Sequence, residues 1–179
     1  CYGKEAKTPT MESEAINPEY PYALTKYMGE ELVQHWGKVY SLPVVSTRFF
    51  NVYGTRSRTS GTYGAVIGVF LAQKLNGKPL TIVGDGEQKR CFSYIDDDLF
   101  CLKEMATNKS VKSQIINIGP DEEFITINTL ANKIANQLKF NLNPKYIKGR
   151  PQEVLEATCS ADKARKILNY KTKTKLDHG

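Results

Sequence analysis

Tyr22 and Lys26 stand four residues apart in the stretch Pro21-Tyr22-Ala23-Leu24-Thr25-Lys26. If that stretch is helical, positions i and i+4 share a face one turn apart, so a phenol and an ammonium are offered to one pocket. Such a pair can move a proton. A free phenol, with a pKa of about 10, is a poor base at neutral pH, and a nearby cation favours its ionised form. Reaching about 7 takes roughly 3 units, or about 4 kcal/mol, which is much for one lysine in water. A second positive charge is therefore implied, and an oxidised nicotinamide ring would carry one. The spacing alone is weak, because ten tyrosines among roughly one lysine in ten positions give about one such match by chance.

Other residues with chemical potential are fewer. Asn51-Val52-Tyr53-Gly54 follows a run of strand formers, at the strand end where open α/β sheets bind ligands, although a turn asparagine is an equal reading. Asp96, Asp97 and Asp98 could suggest a metal site, but acidic residues opening a helix more often cap it and answer its dipole, so no metal is expected. Cys1, Cys91, Cys101 and Cys159 show no C-x-x-C spacing, which points to free thiols in a reducing compartment, with the cytoplasm as the default.

Composition bounds the rest. A chain of 179 residues, 40% hydrophobic and 25% charged, reads as globular and large enough for one sizeable core or two small ones. No run approaches the length of a membrane helix, and the opening residues have no signal-peptide pattern, so no membrane partner is expected. The formal charge of +6 invites a nucleic-acid reading, yet the lysines are scattered without interleaved aromatics, so none is expected. A modest positive field also suits a phosphorylated metabolite.

Residues 1–19 read as a loop. Pro21 sits where proline starts a helix, which runs to about Tyr40 with a wide apolar stripe that fits a sheet on one side and a partner helix on the other, hence a homodimer. Val44 to Phe50 is a buried strand. Thr55 to Tyr63 is an exposed loop, Ala65 to Leu75 a helix closed by Asn76-Gly77, and Pro79 to Gly84 a strand before the Asp85-Gly86 turn. A helix from Asp96 to about Thr107, a strand from Gln114 to Gly119 and an amphipathic helix from Thr126 to Lys139 follow. Lys145 to Lys148 and Val154 to Cys159 look like short strands, and Ala161 to Leu168 is a last helix. This alternation predicts an α/β chain with a partly parallel sheet.

A nicotinamide-binding chain of this class carries a Gly-rich turn between its first strand and helix, and no G-x-x-G-x-x-G occurs in these 179 residues. The order of motifs nonetheless resembles one family. Tyr2-Gly3, Pro21-Tyr22-x-x-x-Lys26, Arg48-Phe49-Phe50-Asn51-Val52-Tyr53-Gly54, Gly84-Asp85-Gly86 with Lys89-Arg90, and Arg150-Pro151 leading to Ala161-Asp162-Lys163-Ala164 are similar to the C-terminal half of extended short-chain dehydrogenases/reductases, in the nucleotide-sugar epimerase/dehydratase group.

The resemblance implies a doubly wound Rossmann-type sheet with a small α/β substrate subdomain. Residues 1–62 would complete the NAD-binding domain, whose Gly-rich half lies outside the segment. Residues 63–179 would bind mainly the nucleotide sugar, with 114–139 returning to the Rossmann sheet. It implies NAD as cofactor and a nucleotide-diphosphate sugar as substrate. Tyr22 matches the catalytic acid or base and Lys26 its partner on the nicotinamide ribose. Phe49 and Phe50 fall at the nicotinamide end, and Asn51 near the substrate phosphate. Thr81 and Val83 lie on the strand touching the base, Arg90 and Arg150 match diphosphate-binding arginines, and Glu153 falls at the nucleotide ribose. Three positions depart from the family pattern: Cys91, Ser160 and Val66, the last where many members place an asparagine over the nucleotide. The implied activity is 4-epimerisation through a transient 4-keto sugar, with a 4,6-dehydratase or a UDP-glucuronate decarboxylase as alternatives within the family. The segment by itself is expected to be inactive. A non-catalytic nucleotide-binding or dimerisation module is the alternative of another class.

Overall fold

The computed structural model describes residues 1–59, 65–149 and 154–179. After a loop, helix α1 spans Pro21–Tyr40. Proline's fixed φ and missing N–H suit the first helical turn, and Ser41 ends the helix in the left-handed conformation at φ 56°. Strand β1 (Val45–Phe49) runs parallel to β6 (Gln114–Ile118), with Arg48 opposite Asn117 and Phe49 opposite Ile118. Between them in sequence lie β2 (Val52–Tyr53), α2 (Val66–Leu75), β3 (Thr81–Val83), β4 (Lys89–Arg90), β5 (Ser93–Tyr94) and α3 (Ile95–Thr107). After them come β7 (Ile125–Thr126), α4 (Ile127–Gln137), β8 (Lys145–Ile147), β9 (Glu156–Ala157) and α5 (Asp162–Leu168). Strands β2 and β5, β3 and β8, and β4 and β9 also pair in parallel, while β7 runs antiparallel to β4.

Two apolar clusters hold these layers. In the first, Ile116 and Ile118 of β6 meet Cys101 and Met105 of α3 and Ala164 and Leu168 of α5. In the second, Phe70 of α2 and Ile82 of β3 meet Leu130 and Ala131 of α4, beneath Phe92 and Tyr53. Strand β6 therefore joins β1, whereas α4, eight residues later, belongs with α2 and β3. The side chains of Ile116, Ile118 and Leu130 are at most 1% exposed, and burying each stabilises the fold by about 1.5–3 kcal/mol.

Helix α1 behaves differently. Only Ala23 and Gly37 are buried along it, and Leu24, Met28, Leu32, Trp36 and Tyr40 are exposed. It comes close to the sheet at Gly37, where an added Cβ would collide with the Val44 side chain. Polar groups complete the attachment. Arg48 of β1 donates two bonds to the Glu30 carboxylate, at 2.7 and 2.5 Å, and Gln34 Nε2 donates to Ser46 Oγ at 2.9 Å. Arg48 Nη1 also donates to the Tyr2 hydroxyl at 2.5 Å, and that hydroxyl donates to Asn117 Oδ1 at 2.8 Å. Burial raises the Tyr2 pKa, with the Arg48 guanidinium pulling the other way.

The acidic start of α3 does not cap the helix as its spacing suggests. Its N-cap residue is Tyr94, with no side-chain cap bond, and Asp97 and Asp98 are buried. Asp97 accepts the backbone N–H groups of Lys173 and Thr174, both at 3.0 Å, and Asp98 accepts the Ser93 hydroxyl at 2.5 Å. The carboxylates hold the segment after α5 and strand β5, because tertiary donors outcompete the helix's own N–H groups for them.

Candidate active site

Two adjoining cavities collect most of the candidate residues. The first, of about 590 Å³, runs along β1 from the N-terminal loop and takes Tyr22, Lys26, Phe49 and Phe50 into its wall. The second, of about 580 Å³, is walled by Thr81, Val83, Val66 and Gln88. Tyr20, Tyr22, Phe49, Asn51 and Arg90 line both. A phenol and an ammonium at one end and a strand with an arginine at the other thus share one continuous surface. A third cavity, of about 410 Å³, lies behind Tyr53 against Leu71, Leu130 and Leu176, and contains none of the candidate residues.

The helical register of α1 brings Tyr22 and Lys26 together as their spacing predicts, with Lys26 Nζ 5.3 Å from the centre of the Tyr22 ring. Both side chains are exposed toward the groove. Phe49 is exposed at the end of β1, and Phe50 is half-buried with its ring 6.2 Å from that of Tyr2. Asn51 adopts φ 47°, a conformation asparagine tolerates better than most side chains. Its Nδ2 donates to the Cys91 carbonyl at 2.9 Å, which ties the turn after β1 to the segment after β4.

At the other end the geometry is more committed than the sequence indicates. Thr81 N–H donates to Gln73 Oε1 at 2.9 Å, and Gln73 Nε2 donates to Thr81 Oγ1 at 2.7 Å. The Val83 carbonyl accepts from Gln88 Nε2 at 3.0 Å. The Arg90 guanidinium donates to the carbonyls of Val154 at 2.6 Å, Lys89 at 2.7 Å and Leu155 at 3.2 Å. Main-chain acceptors thus fix the guanidinium in place through both of its Nη atoms. Arg150 and Glu153 lie outside the described residues. Gln88 and Tyr20, which sequence reasoning passed over, line the second cavity. Gln88 lies between Gly84-Asp85-Gly86 and Lys89-Arg90, but nothing in its own residue type or spacing marks it as a lining residue.

Among the described residues, no group of three His, Cys, Asp or Glu could hold a metal ion. Among the described residues, no helix is long and apolar enough to cross a membrane. Burial raises the thiols of Cys91, Cys101 and Cys159 above their ordinary pKa, which makes them poor nucleophiles.

The profile of the NAD dependent epimerase/dehydratase family matches residues 1–119. A protein of Methanocaldococcus jannaschii assigned as a UDP-glucose 4-epimerase is 34% identical over 178 residues, covering 99% of this chain and 56% of that protein. The crystal structure of a Thermotoga maritima UDP-glucose 4-epimerase with UDP-glucose superposes with a TM-score of 0.91 at 28% identity, over 99% of this chain and 57% of that one. A Bacillus cereus UDP-glucuronic acid 4-epimerase, solved with UDP-glucuronic acid and NAD, gives 0.90 at 31% identity, over 99% and 55%. Other relatives are dehydratases and decarboxylases of nucleotide sugars. The chain spans about half the length of the relatives it matches.

Proposed function

The chain belongs to the NAD dependent epimerase/dehydratase family, and from that premise we propose that it is the substrate-side, C-terminal half of a nucleotide-sugar 4-epimerase of the UDP-glucose/UDP-galactose type. One observation carries the reading: Tyr22 and Lys26 share a continuous cavity wall with Asn51, Thr81, Val83 and Arg90. A nucleotide sugar needs a proton-moving group at the sugar and anchors for base and diphosphate, and that wall offers both.

The residues present suit NAD. A phenol and an ammonium one helical turn apart, with Phe49 and Phe50 beside them, form a site for a ribose and a flat ring, and NAD when bound supplies a reversible two-electron acceptor. The pyrophosphate site belongs, on this proposal, to a Gly-rich half outside these 179 residues. In support, β1 pairs only with β6 among the described residues, as expected of a strand that continues into a larger parallel sheet.

Tyr22 takes the proton from the sugar C4 hydroxyl as the sugar is oxidised to its 4-keto form. Lys26 holds positive charge beside the phenol and reaches the cofactor ribose. Once the keto sugar has turned over in the pocket, Tyr22 returns the proton and C4 is restored with inverted configuration. Phe49 and Phe50 exclude water at the reacting end, while Asn51, Thr81, Val83 and Arg90 hold phosphate and base. Arg150 and Glu153 join them on the resemblance alone. The exposed apolar face of α1 supports a homodimer through that helix, and the four free thiols agree with a cytoplasmic location.

The experiment incubates the full polypeptide carrying this chain with NAD and, separately, UDP-glucose and UDP-glucuronate, following the products by proton NMR. Inversion at C4 without net redox change supports the proposal. Loss of water or of carbon dioxide would assign the dehydratase or decarboxylase reading instead, and nucleotide binding without turnover would leave a non-catalytic module.

A further inference from the structure

Tyr22, Lys26, Glu30 and Gln34 follow one another at intervals of four, so they form a single polar ladder along α1. Tyr22, Lys26 and Glu30 line the groove, and Glu30 and Gln34 grip β1. We propose that Glu30 with Arg48, and Gln34 with Ser46, are positioning residues that set the rotation and height of α1 and so aim the Tyr22 phenol at the groove; this rests on the reading of Tyr22 as the proton-moving group.

The geometry of the pair is that of a register device. Arg48 meets Glu30 as a two-pronged fork at 2.7 and 2.5 Å, with both side chains 7% exposed. A planar fork on a carboxylate fixes orientation as well as distance. Arg48 is itself braced from the far side. The Tyr2 ring lies 4.6 Å from its guanidinium carbon, and the Tyr2 hydroxyl links it to Asn117, its register partner on β6. Asn117 in turn donates from Nδ2 to the Thr10 carbonyl at 2.9 Å and from its backbone N–H to Glu12 Oε1 at 2.8 Å. The line from α1 through β1 to β6 and the N-terminal loop has no solvent-exposed link.

Two facts favour aiming over simple adhesion. A buried ion pair adds little net stability compared with apolar side chains of the same volume, so holding the helix down does not require one. The remainder of α1 supplies little apolar anchoring, since only Ala23 and Gly37 are buried along it. Without the fork, the helix could turn about its axis. A phenol oxygen roughly 8 Å from a helix axis moves about 1.4 Å for a 10° turn, and a misplacement of about 1 Å at a reacting centre can cost on the order of 10²-fold in rate.

The test uses the full polypeptide and the variants Glu30→Gln, Arg48→Lys and Gln34→Ala, the last leaving the ion pair intact. Asn108→Ala serves as a control for stability, because Asn108 anchors the turn at 109–111 and the Ile167 carbonyl away from the groove. Tyrosines are replaced by 3-fluorotyrosine, and the Tyr22 fluorine signal is assigned by its loss in Tyr22→Phe. Well below each thermal midpoint, the ladder variants should shift or broaden that signal. With UDP-sugar they should lower kcat by about 10- to 100-fold while KM stays within about threefold. In a Tyr22→Phe background, Glu30→Gln should lower kcat by less than about threefold further, because both changes act through one group. Asn108→Ala should lower the midpoint with the Tyr22 signal and kcat unchanged. Ladder variants that behave like Asn108→Ala overturn the proposal. If the wild type turns over no nucleotide sugar, the function reading fails, and the fluorine signal alone then decides: unmoved, it overturns positioning; shifted, it supports it.

Discussion

Replacing Asp98 with Asn should make the protein more stable at neutral pH and by a margin that disappears in acid. Asp98 is 1% exposed, and burial raises its pKa from 3.8 to about 6, against the opposing hydrogen bond from Ser93 and with the Asp97 charge adding to the rise. Tyr170 packs near the same carboxyl, and Cys101 lies one turn along α3, so its surroundings supply no cation that would favour the ionised form. A folded-state pKa above the unfolded one means that the folded protein binds the proton more tightly. The associated stability is complete below about pH 4 and is lost as pH rises through about 6. Roughly two units at about 1.4 kcal/mol each give a loss of about 3 kcal/mol by pH 7.5. Asparagine keeps an oxygen for the Ser93 hydroxyl and has no charge to bury. Urea unfolding of both proteins at intervals from pH 4 to 7.5 should show the Asn variant gaining about 2–3 kcal/mol relative to wild type across that span. A difference that is flat with pH, or that shrinks toward neutral pH, would refute the burial argument.

The other expectations are shorter. Calorimetric titration of the 179-residue chain with NAD should give a Kd weaker than about 10 μM, roughly −7 kcal/mol, and tighter binding would place the cofactor site mainly within it. Arg90→Lys in the full polypeptide should weaken UDP-sugar binding by about 1.5–3 kcal/mol, measured by calorimetry, since lysine cannot present the planar fork. Arg150→Lys should act alike. If the proposed dimer forms through α1, Met28→Glu together with Trp36→Glu should lower the sedimentation coefficient to that of a monomer, because both side chains stand on the exposed face of that helix, and a wild type that already sediments as a monomer would overturn the dimer proposal.

Local rules made the elements legible. Pro21 at a helix start, the β-branched run before Asn51, and Asn76-Gly77 after Leu75 each mark a boundary that the fold keeps within a residue or two. The pairing of Tyr22 with Lys26 was equally legible, because helical spacing alone fixes it. What escaped is what depends on distant partners. Tyr2 and Asn117 meet across 115 residues, and Glu30 and Arg48 meet only because β1 lies under α1. Gln88 gains its place from the Val83 carbonyl. Asp97 and Asp98 follow the pattern of a helix start, yet Lys173 and Thr174 bind one oxygen of Asp97 and Ser93 one oxygen of Asp98. Arg90 was visible as a phosphate candidate, but not the main-chain carbonyls that fix its guanidinium.

The proposed role of Tyr22 is tested most directly by Tyr22→Phe in the full polypeptide, with turnover and thermal midpoint measured together from pH 6 to 10. The substitution removes one oxygen from a ring that is 43% exposed, so the midpoint should hardly move. Turnover should fall by about 10²- to 10⁴-fold, the usual worth of a positioned proton transfer. A variant that retains more than about a tenth of wild-type turnover, or that loses stability instead, would contradict the assignment and leave Tyr22 as an aromatic side chain at the start of a helix.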